Sequence, residues 1–72
     1  MDMRVKTYRH DLRGHLNSIM LCASVLPITS DRIEQTQFLD EISTAADRAM
    51  EILDQIDALP PEAFAEADTP RH

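Results

Sequence analysis

The positions of proline are the feature of this 72-residue chain that most constrains its fold. Residues 1–26 and 28–59 contain none, whereas Pro27 separates the two stretches and Pro60 and Pro61 follow the second. Proline ends helices because it lacks an N–H donor and its ring clashes with the preceding turn. Two long helices joined by a short turn are therefore the simplest fold for this sequence.

Apolar residues recur at spacings of three and four in both stretches, which is typical of helices with one buried face. The pattern predicts a helix over about residues 3–26, a turn over 27–31 and a helix over about 32–59. The predicted buried stripe of the first helix is Val5, Tyr8, Leu12, Leu16, Ile19, Ala23 and Leu26. That of the second helix is Ile33, Phe38, Ile42, Ala45, Ala46, Ala49, Leu53, Ile56 and Leu59.

Capping residues mark the start of the second helix. Asp31 is expected to accept a hydrogen bond from the backbone N–H of Glu34 while Glu34 reaches back, or Ser30 caps the helix one residue earlier. Beyond the second helix, residues 60–72 contain one large apolar side chain, Phe64. Since so little apolar surface cannot offset the entropy of ordering, we expect a hairpin domain over residues 1–59 and a flexible acidic tail.

A lone hairpin of this length is too small to bury a sufficient core. Met20, Met50 and Ile52 are predicted to lie on the flanks of the two stripes, in contact with water. Pairing two hairpins would cover these flanks and give a bundle of roughly 120 residues. The predicted fold class is therefore all-α, an antiparallel helical hairpin that forms a homodimeric four-helix bundle.

Composition excludes several classes of protein. There is no run of roughly 18 apolar residues and no apolar N-terminal signal, so we expect a cytoplasmic protein without a membrane span. The formal net charge of -6 argues against nucleic-acid binding. Cys22 is the only cysteine and is predicted to be a reduced core residue. Because the chain has only one glycine, it contains no glycine-rich loop of the kind that binds nucleotide phosphates.

The charges are unevenly distributed along the chain. The first helix carries Arg4, Lys6, Arg9 and Arg13 around His10, while the second is acidic. Such a distribution would attract an anionic ligand or an acidic partner to the histidine. An ordinary solvated face with complementary charges on the two helices explains the charges alone equally well.

His10 is predicted to point away from the buried stripe, because Ile19 lies about 180° from it round the helix. Gly14, Asn17 and Leu21 fall within about 40° of His10, one, two and three turns further on. A glycine inside a helix costs about 1 kcal/mol relative to alanine. Its presence suggests that another molecule approaches the backbone there, and Leu21 would give that molecule an apolar anchor.

An exposed imidazole of this kind suits phosphoryl chemistry. A neutral histidine attacks phosphorus through one ring nitrogen if the other keeps its proton. Asp11 can accept that second N–H, and Arg9 or Arg13 can offset the charge of the phosphoryl group. A plain surface histidine beside an acid is nevertheless commoner, and spacing alone favours it. His15 lies about 140° from His10 and is predicted to be packed, so the two cannot share a zinc ion.

The segment around His10 resembles the phosphoacceptor box of the dimerisation and histidine-phosphotransfer (DHp, HisKA-like) domain of bacterial sensor histidine kinases. The matching residues are His10, Asp11, Leu12, Arg13, Leu16 and Ile19. The resemblance extends over residues 3–59, because that family also has a long helix, a short turn and an acidic second helix. It implies that His10 is the phosphoacceptor and that Asp11 is the assisting acid.

The chain departs from that family in three respects. Gly14 stands where members usually have Thr or Asn, which helps water attack a phosphorylated receiver, so phosphatase activity is not expected. His15 replaces a helix-bending proline, which predicts a straighter first helix. The ATP-binding domain that normally follows is missing, and we expect no autonomous ATP-dependent kinase activity.

The predicted function is histidine phosphotransfer in two-component signalling. His10 would exchange a phosphoryl group with the aspartate of a response-regulator receiver domain that docks on Arg9, Gly14, Asn17 and Leu21. The chain would bind no cofactor itself, and Mg²⁺ would come with the receiver or a partner kinase.

Two other functions are consistent with the sequence. One is a non-catalytic DHp-like interaction module that binds or inhibits a histidine kinase or a response regulator, and the other is a bare homodimerisation segment. Either a stand-alone phosphotransfer protein or a domain from a longer kinase would have this pattern. The initial Met and the tail favour a complete small protein.

Overall fold

The structure, a computed structural model, describes residues 3–64. Helix α1 spans Arg4–Val25 and helix α2 spans Arg32–Asp57. Between them lies a 3₁₀ turn, Leu26–Ile28, and a second 3₁₀ turn, Pro61–Phe64, follows α2. The two long helices run antiparallel and pack against each other, and the described residues contain no strand. The predicted all-α helical hairpin is confirmed.

The connection between the helices is held by one threonine. The Thr29 hydroxyl donates to the carbonyl oxygen of Val25 at 2.9 Å, and the Thr29 carbonyl accepts from the Gln35 side chain at 2.6 Å. Pro27 lies in the first turn of the 3₁₀ segment, where its missing N–H has no helical partner to lose. The short turn is thus bonded to both helices, which fixes their antiparallel arrangement.

Asp31 rather than Ser30 caps α2. Its carboxylate accepts from the backbone N–H of Ile33 at 2.9 Å, one residue earlier than the predicted bond to Glu34. Glu34 lies in the first turn, where a negative charge interacts favourably with the helix dipole.

Removing this cap should weaken the hairpin measurably. We expect Asp31→Ala to lower the free energy of unfolding by about 1 kcal/mol, because an N-terminal N–H of α2 loses its partner. Ser30→Ala is the matched control and should change it by less than about 0.5 kcal/mol. Urea unfolding followed by circular dichroism at one protein concentration measures both, and equal losses in the two variants would contradict the assignment of the cap.

The contact between the helices is built from small side chains. Ala45 and Ala49 of α2 are 3% and 6% exposed, and Cys22 of α1 is buried with a free thiol, as predicted. Small residues let two helix backbones approach closely, but they bury little apolar area. The hairpin has no second layer to cover its outer faces, so its core is thin.

Several residues differ from their predicted positions. Ile52 was expected in water, yet it is buried at 8% exposure, while Leu53 of the predicted stripe is 41% exposed. The reason is periodicity, since Ala45, Ala49 and Ile52 follow the spacing of four and then three that keeps residues on one helix face.

The predicted burial of three further stripe residues is also wrong, since Leu16, Ala23 and Ile33 are exposed. The predicted exposure of Met20 and Met50 agrees with the structure.

The open end of the hairpin is closed by the second 3₁₀ turn. Residues Pro61–Phe64 pack against α1, and Ala63 and Val5 are each 2% exposed. The predicted flexible tail, residues 60–72, therefore begins with an ordered turn, because Ala63 finds apolar surface at the end of the helix pair. The rest of that predicted tail, with His72, lies outside the described residues.

Neither helix among residues 3–64 combines the length and the apolar character that are needed to cross a bilayer.

Candidate functional site

The candidate site lies on the side of α1 that is furthest from α2. Four exposed residues form a line there over about three turns of the helix. They are His10, Gly14, Asn17 and Leu21, and we refer to them as the outer line. This side of α1 lies opposite the part of the helix that packs against α2. The outer line is therefore open to another protein along its whole length.

Charged residues flank the outer line on both sides. Asp11 lies about 100° round the helix from His10 in one direction. In the other direction, Arg13 is about 60° from His10 and Arg9 about 100° from it. All three are exposed. The imidazole thus has a carboxylate on one side and guanidinium groups on the other, the combination that can orient a ring proton and attract an anion.

Adjacent helical residues do not face each other, so Asp11 and His10 project from neighbouring faces. A bond between the Asp11 carboxylate and the ring N–H requires the carboxylate to lean across the helix surface. Arg13, three residues after His10, lies on the next turn and faces the imidazole more directly.

Nothing among the described residues 3–64 requires glycine at position 14. Its backbone has no positive φ, and a Cβ built on it meets no heavy atom within 4 Å. Glycine at this position therefore lowers the stability of α1, and no contact in the described hairpin compensates for that loss. This is the observation that most favours a close approach by another molecule at this position.

Replacing Gly14 by alanine should consequently stabilise the protein. We expect the free energy of unfolding to rise by about 0.5–1 kcal/mol, because alanine has the higher helix propensity and its methyl group meets open space. Ser24→Ala is a useful comparison, since Ser24 is also exposed in α1 but carries a side chain that already donates to the Met20 carbonyl. Thermal unfolding of both variants tests this, and destabilisation by Gly14→Ala would show that the glycine has an internal role.

Sequence analysis missed one member of this surface. Met3, immediately before α1, is 49% exposed and lies at about the same helical angle as Leu21. The spacing of seven between Met3, His10 and Asn17 was the available signal. The polar centre of the outer line therefore has an apolar side chain at each end.

The remaining histidine of the described region has a different environment. His15 is half-buried, and on the helical wheel it lies on the part of α1 that faces α2. This position agrees with a packed histidine and not with a second nucleophile. Among residues 3–64 no three side chains of His, Cys, Asp or Glu come together as a metal site.

No family model, curated protein or solved structure matches this chain. The resemblance to the histidine kinase DHp domain therefore depends on the residues around His10 and on the two-helix architecture alone.

Proposed function

We propose that this chain is a DHp-like histidine phosphotransfer domain of two-component signalling. It accepts a phosphoryl group on His10 and exchanges it with the aspartate of a response-regulator receiver domain. The observation that carries the proposal is the exposure of His10 on the outer side of α1, above a glycine that the hairpin itself does not need. A nucleophile in that position is accessible to the active site of another protein.

The reaction is a displacement at phosphorus. The lone pair of one His10 ring nitrogen forms a bond to phosphorus, and the bond between phosphorus and the receiver's aspartyl oxygen breaks. The carboxylate leaves with the electron pair, and the other ring nitrogen keeps its proton. Transfer in the opposite direction is the reverse of these steps.

The neighbouring charges have separate roles in this reaction. Asp11 accepts the N–H of the non-attacking ring nitrogen and stabilises the positive charge that develops on the ring. Arg13 offsets the charge of the phosphoryl oxygens, and Mg²⁺ is supplied by the receiver or by a partner kinase. This chain contributes the nucleophile and its orientation and holds no cofactor.

The receiver docks on the outer line, with Arg9 at its edge. Gly14 lets the receiver's backbone or side chains approach α1 closely, and Asn17 offers a polar contact. Leu21, 67% exposed, is the apolar anchor. Two copies of the hairpin form a four-helix bundle, which leaves one such docking surface on each copy.

Phosphoryl transfer in vitro tests the proposal. The protein is incubated with a panel of receiver domains that carry ³²P-phosphoaspartate, and separately with histidine kinases and ATP. We expect label that is lost in acid and kept in base, as a phosphorus–nitrogen bond requires. Absence of such label with every donor, from a folded protein, would reject phosphotransfer.

A second candidate is a non-catalytic module that binds or inhibits a kinase or receiver. The surface formed by Met3, Gly14 and Leu21 favours it, because this surface can dock a partner whether or not His10 reacts. Two variants separate the candidates in cells. Loss of the cellular effect in Leu21→Asp but not in His10→Ala would indicate binding alone, whereas loss in both indicates transfer. A pull-down that returns only this protein would indicate a bare dimerisation segment.

A further inference from the structure

The turn of α1 that precedes His10 carries two polar side chains that the proposed reaction does not use. They are Lys6 and Thr7, four and three residues before the histidine, and both are exposed. Residues at these separations are neighbours on a helix surface. Lys6 lies about 40° from His10 round the helix, and Thr7 lies about 60° from it in the opposite direction. The two side chains therefore border the histidine on its N-terminal side.

Helix geometry brings the His10 ring over this turn. Every Cα–Cβ bond of an α-helix is tilted toward the N-terminus, so a side chain covers the turn before its own Cα. The imidazole is long enough to cross most of one turn, whose pitch is about 5.4 Å. A group bonded to the outer ring nitrogen is consequently level with Lys6 and Thr7. Arg13, one turn later, extends back toward the ring for the same reason.

The Lys6 ammonium group has no counter-ion in the described hairpin. Within residues 3–64, neither Lys6 nor Arg13 forms an ion pair or a side-chain hydrogen bond. Asp2, four residues before Lys6, lies outside the described residues. The described positions three and four residues from these two cations carry no acid; they are Met3, Arg9, His10, Leu16 and Asn17. In this part of the chain, both cations are available to an anion that binds beside His10.

A lysine at position 6 is unfavourable for the helix itself. Since α1 begins at Arg4, Lys6 lies in the first turn, which contains no acidic residue and has no side-chain cap. A cation at a helix N-terminus interacts unfavourably with the helix dipole, and neighbouring like charges add repulsion. Residues that violate the local rules of helix formation are typical of functional sites. Lys6 and Gly14 are two such residues, one turn before and one turn after His10.

Thr7 adds a neutral donor to the same turn. A threonine inside a helix often donates its hydroxyl to the carbonyl oxygen four residues earlier, as Thr36 does to Arg32 at 3.1 Å. For Thr7 the corresponding carbonyl oxygen, that of Met3, accepts only the backbone N–H of Thr7 among the described residues, at 3.0 Å. The Thr7 hydroxyl can therefore donate to an acceptor outside the hairpin.

We infer that Lys6 and Thr7 bind the phosphoryl group on His10 and are further catalytic residues of its transfer. The inference rests on the proposed phosphotransfer reaction and adds two residues to its site. The Lys6 ammonium and the Arg13 guanidinium bind phosphoryl oxygens from one side of the ring, and the Thr7 hydroxyl donates to an oxygen from the other side. Three donors thus match the three oxygens over which the charge of the transferring group is spread.

Reaction of the whole chain with phosphoramidate tests the site without a partner protein. The lone pair of a His10 ring nitrogen forms a bond to phosphorus, the phosphorus–nitrogen bond of phosphoramidate breaks, and ammonia leaves with that electron pair. NMR of the imidazole signals follows each histidine separately, so His15 is an internal reference. At low salt we expect the rate at His10 to fall about five- to tenfold in Lys6→Gln and about two- to threefold in Thr7→Val. The rate at His15 should not change.

Control variants separate phosphoryl binding from charge and folding. Arg48→Gln removes the same charge from the exposed surface of α2, at the level of α1 where Arg9 lies, and should leave the rate at His10 unchanged. Lys6→Arg and Thr7→Ser keep the donors and should react within about twofold of the wild type. Lys6→Gln should be at least as stable as the wild type, because it removes an unfavourable charge from the first turn. A purely structural lysine would give the opposite result.

Three results would overturn the inference. They are no phosphorylation of His10 by phosphoramidate, equal rates at His10 in Lys6→Gln and the wild type, and equal losses in Lys6→Gln and Arg48→Gln. A wild-type rate in Thr7→Val would remove Thr7 from the site.

The same variants distinguish this inference from the proposed function. A rate at His10 that depends on Lys6, in a protein that no receiver or kinase labels, would support the phosphoryl-binding site and reject phosphotransfer. Transfer of label from a receiver at the same rate to Lys6→Gln and to the wild type would support phosphotransfer and reject the role of Lys6.

Discussion

Replacing His10 by alanine should reduce phosphoryl labelling of this chain by at least about 100-fold, because the nucleophile itself is removed. The fold should not change, since His10 is exposed and alanine has the higher helix propensity. The rate of label transfer from a phosphorylated receiver measures the effect, and circular dichroism verifies the helix content.

His15→Ala is the control for this result. His15 belongs to the same helix but is half-buried on its other side, so its replacement should leave labelling within about threefold of the wild type once the variant is folded. Label that persists in His10→Ala and disappears in His15→Ala would transfer the phosphoacceptor role to the packed histidine. Label that persists in both would place it on another residue type.

Truncating Ile52 to alanine should produce the largest loss of stability among single apolar truncations. Ile52 is the one large aliphatic side chain of α2 among the buried residues of the described region, where its neighbours are alanines. Removing its side chain should cost about 2–4 kcal/mol, from lost transfer energy and from the cavity left behind. A hairpin with so thin a core has little stability to lose, so a substantial unfolded fraction is expected at room temperature.

Ile33→Ala is the matched comparison, since Ile33 is in the same helix but is 70% exposed. We expect it to change the free energy of unfolding by less than about 0.5 kcal/mol. Urea unfolding at a fixed protein concentration distinguishes the two variants. Equal effects would mean that α2 packs through a different face from the one described.

Local chemistry determines the helix limits, which explains why the sequence predicted them closely. The predicted helices, about 3–26 and 32–59, and the observed Arg4–Val25 and Arg32–Asp57 differ by at most two residues at any end. Proline, the Asp31 cap and apolar spacing all act within a few residues of the chain. Which of Ile52 and Leu53 is buried depends instead on where the neighbouring helix lies, and so does the packing of Ala63. The apolar pattern of a single helix does not contain that information.

The outward position of the outer line could be predicted for a related reason. A helical residue opposite a buried stripe must face away from the neighbour, so His10, Gly14, Asn17 and Leu21 were assigned to the outer side from spacing alone. Met3 was missed although the predicted helix began at residue 3, because only positions after His10 were compared with it along this face. The reaction at His10 stays a prediction, since phosphoryl transfer depends on a partner that supplies the phosphoryl group.

The most direct test of the phosphotransfer proposal is to locate the phosphoryl group after reaction with a phosphorylated receiver. Peptide mass spectrometry in alkaline buffer, with ³¹P NMR of the intact protein, identifies both the residue and the bond. The proposal predicts one phosphorus–nitrogen bond per chain, on His10. A phosphoryl group on any other residue, or a folded protein that no receiver or kinase phosphorylates, would contradict it.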